Sequence, residues 1–288
     1  MFTSLPGVLF DGVAYGSLLF LMSIGLSVTM GLMRFINLAH GAFAMLGGYV
    51  CVVGMTRLGV PFLATLPIAF AAAGLAGAVL ERILYRRLYR RGPLDQVLFS
   101  LGLTLMSVAG ATYVWGSGQQ PVHLPRFLLG QVRLLGVDLG VYRLFLVALV
   151  AAITAALVLL VRKTRFGARI RASVDDPQAS AGLGINVTRV FSVTFTLGSG
   201  LAGLGGALAI DVLGLDPTFP LKYLVYFLLV VVVGGAGSIA GTLAASLLLG
   251  LFDVSGKYYV PAVGAFVIYG LMVVLLLLFP GGLRRGAR

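Results

Sequence analysis

The chain has 288 residues, of which 59% are hydrophobic and only 10% charged, with a mean hydropathy of +1.05. A soluble domain carries about 25% charged residues because its surface faces water, so a water-soluble fold is excluded. The formal net charge is +12, from 21 Lys and Arg against 9 Asp and Glu; in a soluble protein that balance points to nucleic acid, but here the placement of the basic residues points to membrane sidedness instead.

The first apolar run, Gly7 to Leu32, follows an N-terminal stretch without basic residues and exceeds a signal-peptide core, so it reads as a retained span. Further runs lie at Ile36 to Thr56, Pro61 to Leu80, Gln96 to Trp115, Leu144 to Val161, Val190 to Leu213, Tyr223 to Phe252 and Pro261 to Phe279. They are continuous and close to the span length of about 20 residues, whereas barrel strands would read as alternating segments of about 10. The expected fold is an all-α polytopic membrane protein, one transmembrane domain over residues 1–288, with about eight hydrophobic segments.

Basic residues cluster in two short connections, Glu81 to Arg91 (ERILYRRLYRR) and Arg162 to Arg171 (RKTRFGARIR). Such clusters mark cytoplasmic loops. The segment 116–143 then faces the extracytoplasmic side, and GQVRLLGVDLGV within it alternates enough to predict a hairpin turning near Gly136. Eight simple crossings would leave Arg284, Arg285 and Arg288 outside, against the positive-inside rule. Tyr223 to Phe252 is long for one span and is interrupted by GGAGSIAG. Two half-helices that enter and return on the same side resolve the conflict. Ile36 to Thr56, which contains Gly41, Gly47 and Gly48, reads as a second broken or re-entrant segment, an arrangement that would put the N-terminus inside as well.

Small residues recur at four-residue spacing in Ser199, Gly203, Ala207; Gly198, Ala202, Gly206; Ala69, Ala73, Gly77; and Gly237, Gly241, Ala245. That spacing lets helices approach closely in lipid, and a substrate-facing surface is the other reading. Cys51 is the single cysteine, so no intrachain disulfide exists. No internal repeat is evident.

Catalytic motifs are absent. Gly256-Lys257 is followed by Tyr258, with Leu251 where a P-loop needs its first glycine. The two histidines, His40 and His123, lie in different regions, and no HExxH, CxxC or GxSxG occurs. Ionisable groups in or beside the spans amount to little more than Asp11, His40, Glu81 and Asp211, which disfavours an ion-coupled carrier and a membrane-embedded enzyme using His40 with either aspartate.

Two stretches stand out. In Arg34-Phe-Ile-Asn37-Leu-Ala-His40-Gly41, Asn37 and His40 sit three apart at membrane depth, where polar groups need partners. Either they hydrogen-bond across helices or to freed carbonyls, or they line a pathway. In Arg171 to Asn186 (RASVDDPQASAGLGIN), Asp175 and Asp176 can cap a short helix starting at Pro177 that Gly182 or Gly184 ends. This is either an ordinary surface helix or a lever for a partner.

INLAHGAFAMLGGY (Ile36 to Tyr49), RASVDDPQASAGLGINVTRV (Arg171 to Val190) with the following LGSGLAGLGGALA, and VVVVGGAGSIAGTLAASLLLG (Val230 to Gly250) occur in the order seen in a known family. Over nearly its whole length the chain resembles the permease subunits of branched-chain amino acid ABC importers, the shorter of the two permeases. The resemblance implies a permease domain of the bacterial cytoplasmic membrane that pairs with a second, homologous permease, two cytoplasmic ABC ATPases and an extracytoplasmic solute-binding protein. It implies no enzyme activity, cofactor or nucleic-acid partner in this chain, because the partner subunits hydrolyse ATP. Residues 162–189 become the ATPase-coupling loop, with Arg171, Asp175, Asp176, Ala179, Gly182 and Gly184 as contact candidates; the loop departs from the commoner coupling sequence beginning Glu-Ala-Ala. Asn37, His40, Gly41, Gly234, Gly235 and Gly237 become the translocation-path candidates.

Overall fold

The computed structural model describes residues 5–33, 35–89, 91–121, 124–134 and 137–279. Arg34, His123, Gly136, Arg284, Arg285 and Arg288 lie outside these. Helix α1 spans Leu5–Met33, α2 His40–Thr56 and α3 Phe62–Leu80; a π-helical turn, Glu81–Tyr85, carries α3 into a short continuation, α4, Arg86–Leu88. Then come α5 (Pro93–Trp115), a hairpin of β1 (Gln131–Leu134) and β2 (Val137–Gly140), α6 (Val141–Lys163), α7 (Arg165–Asp175), α8 (Pro177–Gly182), α9 (Val187–Leu213), α10 (Phe219–Gly234), α11 (Ile239–Tyr259) and α12 (Gly264–Leu278). Among the described residues, 6 helices are long and apolar enough to cross a membrane, with α3 counted through Leu88; α2, α10 and α12 are shorter apolar helices. Proline opens several of them: Pro93, Pro177 and Pro220 sit in first turns, where a missing N–H leaves nothing unpaired.

Helix α1 is the centre of the bundle. Leu18, Leu19, Phe20, Leu21 and Met22 are consecutive and all fully buried, as in a helix apolar all round that neighbours enclose. Glycines set those contacts. A Cβ on Gly12 or Gly16 would strike the α11 backbone at Leu251 or Ser246, and one on Gly25 would overlap Gly198 of α9. Helices α3 and α9 close in the same way through Gly77 against Ser199 and Gly203 against Ala73, while Gly206 meets the α2 backbone at Ala44. The small-residue series is thus a packing code. Helices α5 and α6, by contrast, turn large residues such as Leu98, Met106 and Leu159 outward.

Contacts fix the direction of each helix. Gly16 lies against Ser246 and Gly31 against Gly237, so α1 and α11 are antiparallel. Helices α10 and α11 form a hairpin whose tight turn, Gly235 to Ser238, packs on Ser27 and Gly31 near the end of α1. The chain enters and returns on the same side, as expected of Tyr223 to Phe252, but the expected half-helices are corrected: α11 is itself long enough to cross, and the turn reaches nearly to the basic end. The segment before α2 is broken as well, but it completes a crossing instead of returning. The start of α1 therefore lies at the end opposite the basic connections, beside the β-hairpin and α6. A re-entrant α2 with the N-terminus on the basic side is corrected by this packing. Helix α12 runs back toward the basic end.

The hairpin pairs Val132 with Leu139 and Arg133 with Asp138, in antiparallel register. It sits in 116–143 as the alternation predicts; the expected turn residue Gly136 is outside the described residues.

Candidate functional site

After α1 the chain does not continue as a helix. Residues Phe35 to Ala39 run back alongside α1, so that His40 Nε2 lies 2.9 Å from the carbonyl oxygen of Met22. Met22 is about 16 Å before Met33 at 1.5 Å per residue, which sets the break near the middle of the bundle. Non-helical backbone at that depth persists only where protein covers it and its polar groups find partners. Phe35, Asn37 and His40 are all buried. Asn37 Oδ1 accepts from Ala39 N at 3.1 Å and from the Tyr85 hydroxyl at 3.0 Å, and Asn37 O accepts from His40 N. Gly41 follows because a Cβ there would press on Pro220 and the Phe227 ring of α10.

The second break is the α10–α11 turn. Gly235 and Gly237 have φ of 83° and 82°, the left-handed region that side chains disfavour. Gly237 N donates to Ser27 O at 2.8 Å, Thr242 Oγ1 bonds Ser27 Oγ at 2.7 Å, and Ser238 Oγ caps Gly241 N at 3.0 Å. Gly234 and Gly241 are glycines because each backbone fills the other's Cβ position. His40 therefore bonds the middle of α1, with Asn37 tied to Tyr85 and Gly41 packed on α10, while Gly237 holds the Gly234–Gly237 turn to the end of α1. The two groups share one helix but are not brought together. His40 and Asp11 are also apart: Asp11 pairs with Arg143 at the far end of α1.

At the basic end, α7 and α8 form a bracket between α6 and α9. Thr164 caps α7 through Gly167 N, and Arg171 donates to Val161 O of α6. Asp176 Oδ1 accepts from Gln178 N and Ala179 N, both at 2.9 Å, so Asp176 is the cap of α8 and Asp175 the last residue of α7. Gly184, at φ 81°, ends the turn, and Asn186 caps α9 through Arg189 N at 2.9 Å. Leu32, Ile170 and Val190 form a small buried cluster, flanked by Phe166 and Ile185, that fastens the bracket to α1 and α9. Asp175, Ala179, Gly182 and Leu183 remain exposed on its outer side.

Sequence reading missed a buried ionic cluster beside this bracket. Glu81, fully buried, accepts from Arg86 Nε at 3.1 Å, the Tyr89 hydroxyl at 3.1 Å and Ser192 Oγ at 2.9 Å, and Arg86 also reaches Ser192 Oγ at 2.8 Å. Its local signal is the acid at the end of an apolar run with an arginine five residues on. That spacing misses on an α-helix and meets on a π-turn. Tyr85 on the same turn packs against Phe195 of α9 and Phe35 while bonding Asn37. One continuous set of contacts thus joins the start of α9 to the mid-bundle break.

The family model described as "Branched-chain amino acid transport system / permease component" matches residues 8–276. The high-affinity branched-chain amino acid transport system permease protein BraD of Pseudomonas aeruginosa is 27% identical over 292 residues, covering 96% of this chain and 94% of that protein. LivH of Escherichia coli is 27% identical with the same coverage. The probable branched-chain amino acid transport permease protein LivH of Methanocaldococcus jannaschii is 26% identical, covering 96% and 91%. No solved structure matches the chain. Matched along nearly its full length and built of apolar crossing helices, this multi-pass membrane protein belongs to the branched-chain amino acid transport system permease family.

Proposed function

We propose that this chain is the membrane permease subunit of an ATP-driven importer of branched-chain amino acids. The observation that carries the reading is the α7–α8 bracket: a capped, outward-exposed element held at the basic end between two membrane helices. The positive-inside rule puts that end in the cytoplasm. There, residues 162–189 meet a cytoplasmic ABC ATPase, with Asp175, Asp176, Ala179, Gly182 and Gly184 at the contact and Arg171 holding the bracket to α6. The ATPase subunits, two in number, hydrolyse ATP; this chain binds no cofactor and performs no chemistry. A second homologous permease and an extracytoplasmic binding protein complete the assembly, the latter docking on the side of residues 116–143.

Coupling follows from the contacts. Motion of the bracket pulls on α1 and α9 through Leu32, Ile170 and Val190, and rotation of α9 moves Ser192 against Glu81. The π-turn passes that movement through Tyr85 to Asn37 and the break at His40, while the Gly234–Gly237 turn lets the α10–α11 hairpin shift on α1. Alternating exposure of a path bordered by these breaks moves the amino acid unchanged.

Affinity purification of a tagged chain co-expressed with its neighbouring transport genes tests the assignment. The expected result is recovery of a second permease and two ATPases. A lone chain that accumulates branched-chain amino acids under an ion gradient without ATP would overturn it.

A further inference from the structure

At the end opposite the basic connections, α1, α6, α9, α10 and α11 surround a cavity of about 410 Å³. That is within the range of small-molecule sites, about 300–1,000 Å³. Its lining is charged although it lies within the ends of apolar helices, where ionisable groups are costly and mark function. Arg143 is held by Asp11 and Lys222 by Asp216, so both cations sit at the wall already oriented. Asp216 lies in the connection before α10; burial pushes its carboxyl up, but bonds from Lys222 and from the hydroxyl and amide of Thr218 outweigh that and hold it below the usual carboxylate range.

Asp253 is the unusual member. It is 1% exposed and lines the cavity. Its Oδ2 accepts from Lys257 Nζ at 2.5 Å, but its Oδ1 has no hydrogen-bond partner among the described residues. A buried carboxylate oxygen left without a donor is expensive, and among the described buried groups left so, Asp253 alone lines this cavity. Lys257 Nζ stands 5.9 Å from the ring centres of both Tyr15 and Tyr226, which fixes the pair and puts two aromatic faces beside the carboxylate.

We propose that this cavity is an entry site for the zwitterionic amino acid. Its ammonium donates to Asp253 Oδ1, its carboxylate meets the cations at Lys222 and Arg143, and its aliphatic side chain lies against Ala14, Val212 and Val254. Both signs of charge are present, and the apolar wall suits a branched side chain better than a polar one. The site rests on the importer reading and adds to it a stop inside this subunit, reached before the mid-bundle breaks. Asn37, His40, Gly234, Gly235 and Gly237 do not line it.

The test uses the complete importer with Val254→Cys in this chain, in membranes labelled from the outside with an impermeant methanethiosulfonate. Cys51 is buried and hydrogen-bonded to the Thr65 hydroxyl, so background labelling of this chain, read on its own gel band, is low. L-leucine at millimolar concentration is expected to slow labelling at least threefold, whereas 4-methylpentanoate, which lacks the ammonium, and 3-methylbutylamine, which lacks the carboxylate, leave the rate unchanged. Adding Asp253→Asn is expected to abolish protection by leucine. Equal protection by either analogue, protection that survives Asp253→Asn, or no protection by leucine overturns the site. The analogue comparison uses no Asp253 variant, so it decides the matter even if that variant fails to insert. ATP-dependent leucine uptake by the importer with native Val254 separates the two ideas: uptake there with no protection in the Val254→Cys membranes removes the entry site alone, and a complete native complex without uptake removes the importer reading.

Discussion

The Tyr85 hydroxyl donates to Asn37 Oδ1 over 3.0 Å, joining the π-turn of the α3 extension to the break that precedes α2. Both residues are buried, and 48 positions separate them. Removing the donor alone, as in Tyr85→Phe, loses one buried hydrogen bond, about 1 kcal/mol. Asn37→Ala is expected to cost more, because Ala39 N loses its partner too. Thermal unfolding in detergent should rank Asn37→Ala below Tyr85→Phe and both below the native chain. Equal midpoints for all three would mean that the break needs no polar support.

The Glu81 cluster gives a prediction with an inverted order. Arg86→Ala leaves a fully buried carboxylate with only two hydroxyl donors, and breaking such a pair costs about 3–5 kcal/mol, reduced here because the Arg86 side chain is 39% exposed. The double variant Glu81→Gln/Arg86→Ala carries no uncompensated charge. It is expected to be more stable than Arg86→Ala alone, as judged by unfolding midpoint and by yield of monodisperse protein. A double variant worse than either single would show that the cluster's charge is not what matters.

Glycine substitutions should divide by location. At Gly206 an added Cβ overlaps the Ala44 backbone, so Gly206→Ala must push α2 off α9 and is expected to lose about 3 kcal/mol or fail to assemble. Gly102 in α5 has nothing within 4 Å of that position, and Gly102→Ala should be neutral or slightly stabilising. Comparable damage at both sites, measured by size-exclusion profile and melting, would contradict the packing account.

For the bracket, Asp176 acts through its capping oxygen, with charge secondary. Asp176→Asn keeps an N-cap of similar quality, whereas Asp176→Ala loses about 1 kcal/mol of helix start and frees the amides of Gln178 and Ala179. ATP hydrolysis and uptake measured together should stay linked in Asp176→Asn and come apart in Asp176→Ala and Asp176→Lys. Loss of linkage in Asp176→Asn would move the role from cap to charge.

Local patterns carried much of this in the sequence. Continuous apolar runs marked the helices, GGAGSIAG marked the hairpin turn between α10 and α11, and Asp176-Pro177 marked the start of α8, since each is decided by neighbours in the chain. What was not legible depends on distant partners. Polarity at His40 says that a partner is needed but not that it is the Met22 carbonyl, and nothing around Ser192 announces Glu81, 111 positions away. Gly234 and Gly237 illustrate a second limit: a glycine that opens a path and one that lets two backbones touch look alike in one sequence, and only the folded chain shows Gly234 against Gly241 and Gly237 against Gly31. Of the two readings of Ile36 to Thr56, broken or re-entrant, the structure keeps the first, and the direction of α1 rests on its distant contacts with α11 and with Arg143 of α6.

This chain is proposed to move branched-chain amino acids only when an ATPase drives it. The direct measurement is uptake of radiolabelled L-leucine, L-isoleucine and L-valine into proteoliposomes holding this chain, its second permease and both ATPases, with the loaded binding protein outside and ATP inside. The account predicts accumulation that requires ATP, stops when the ATPase catalytic glutamates are replaced, and falls at least tenfold when residues 177–184 of this chain are replaced by a glycine–serine linker. Undiminished uptake without ATP, or with that replacement in place, would contradict it.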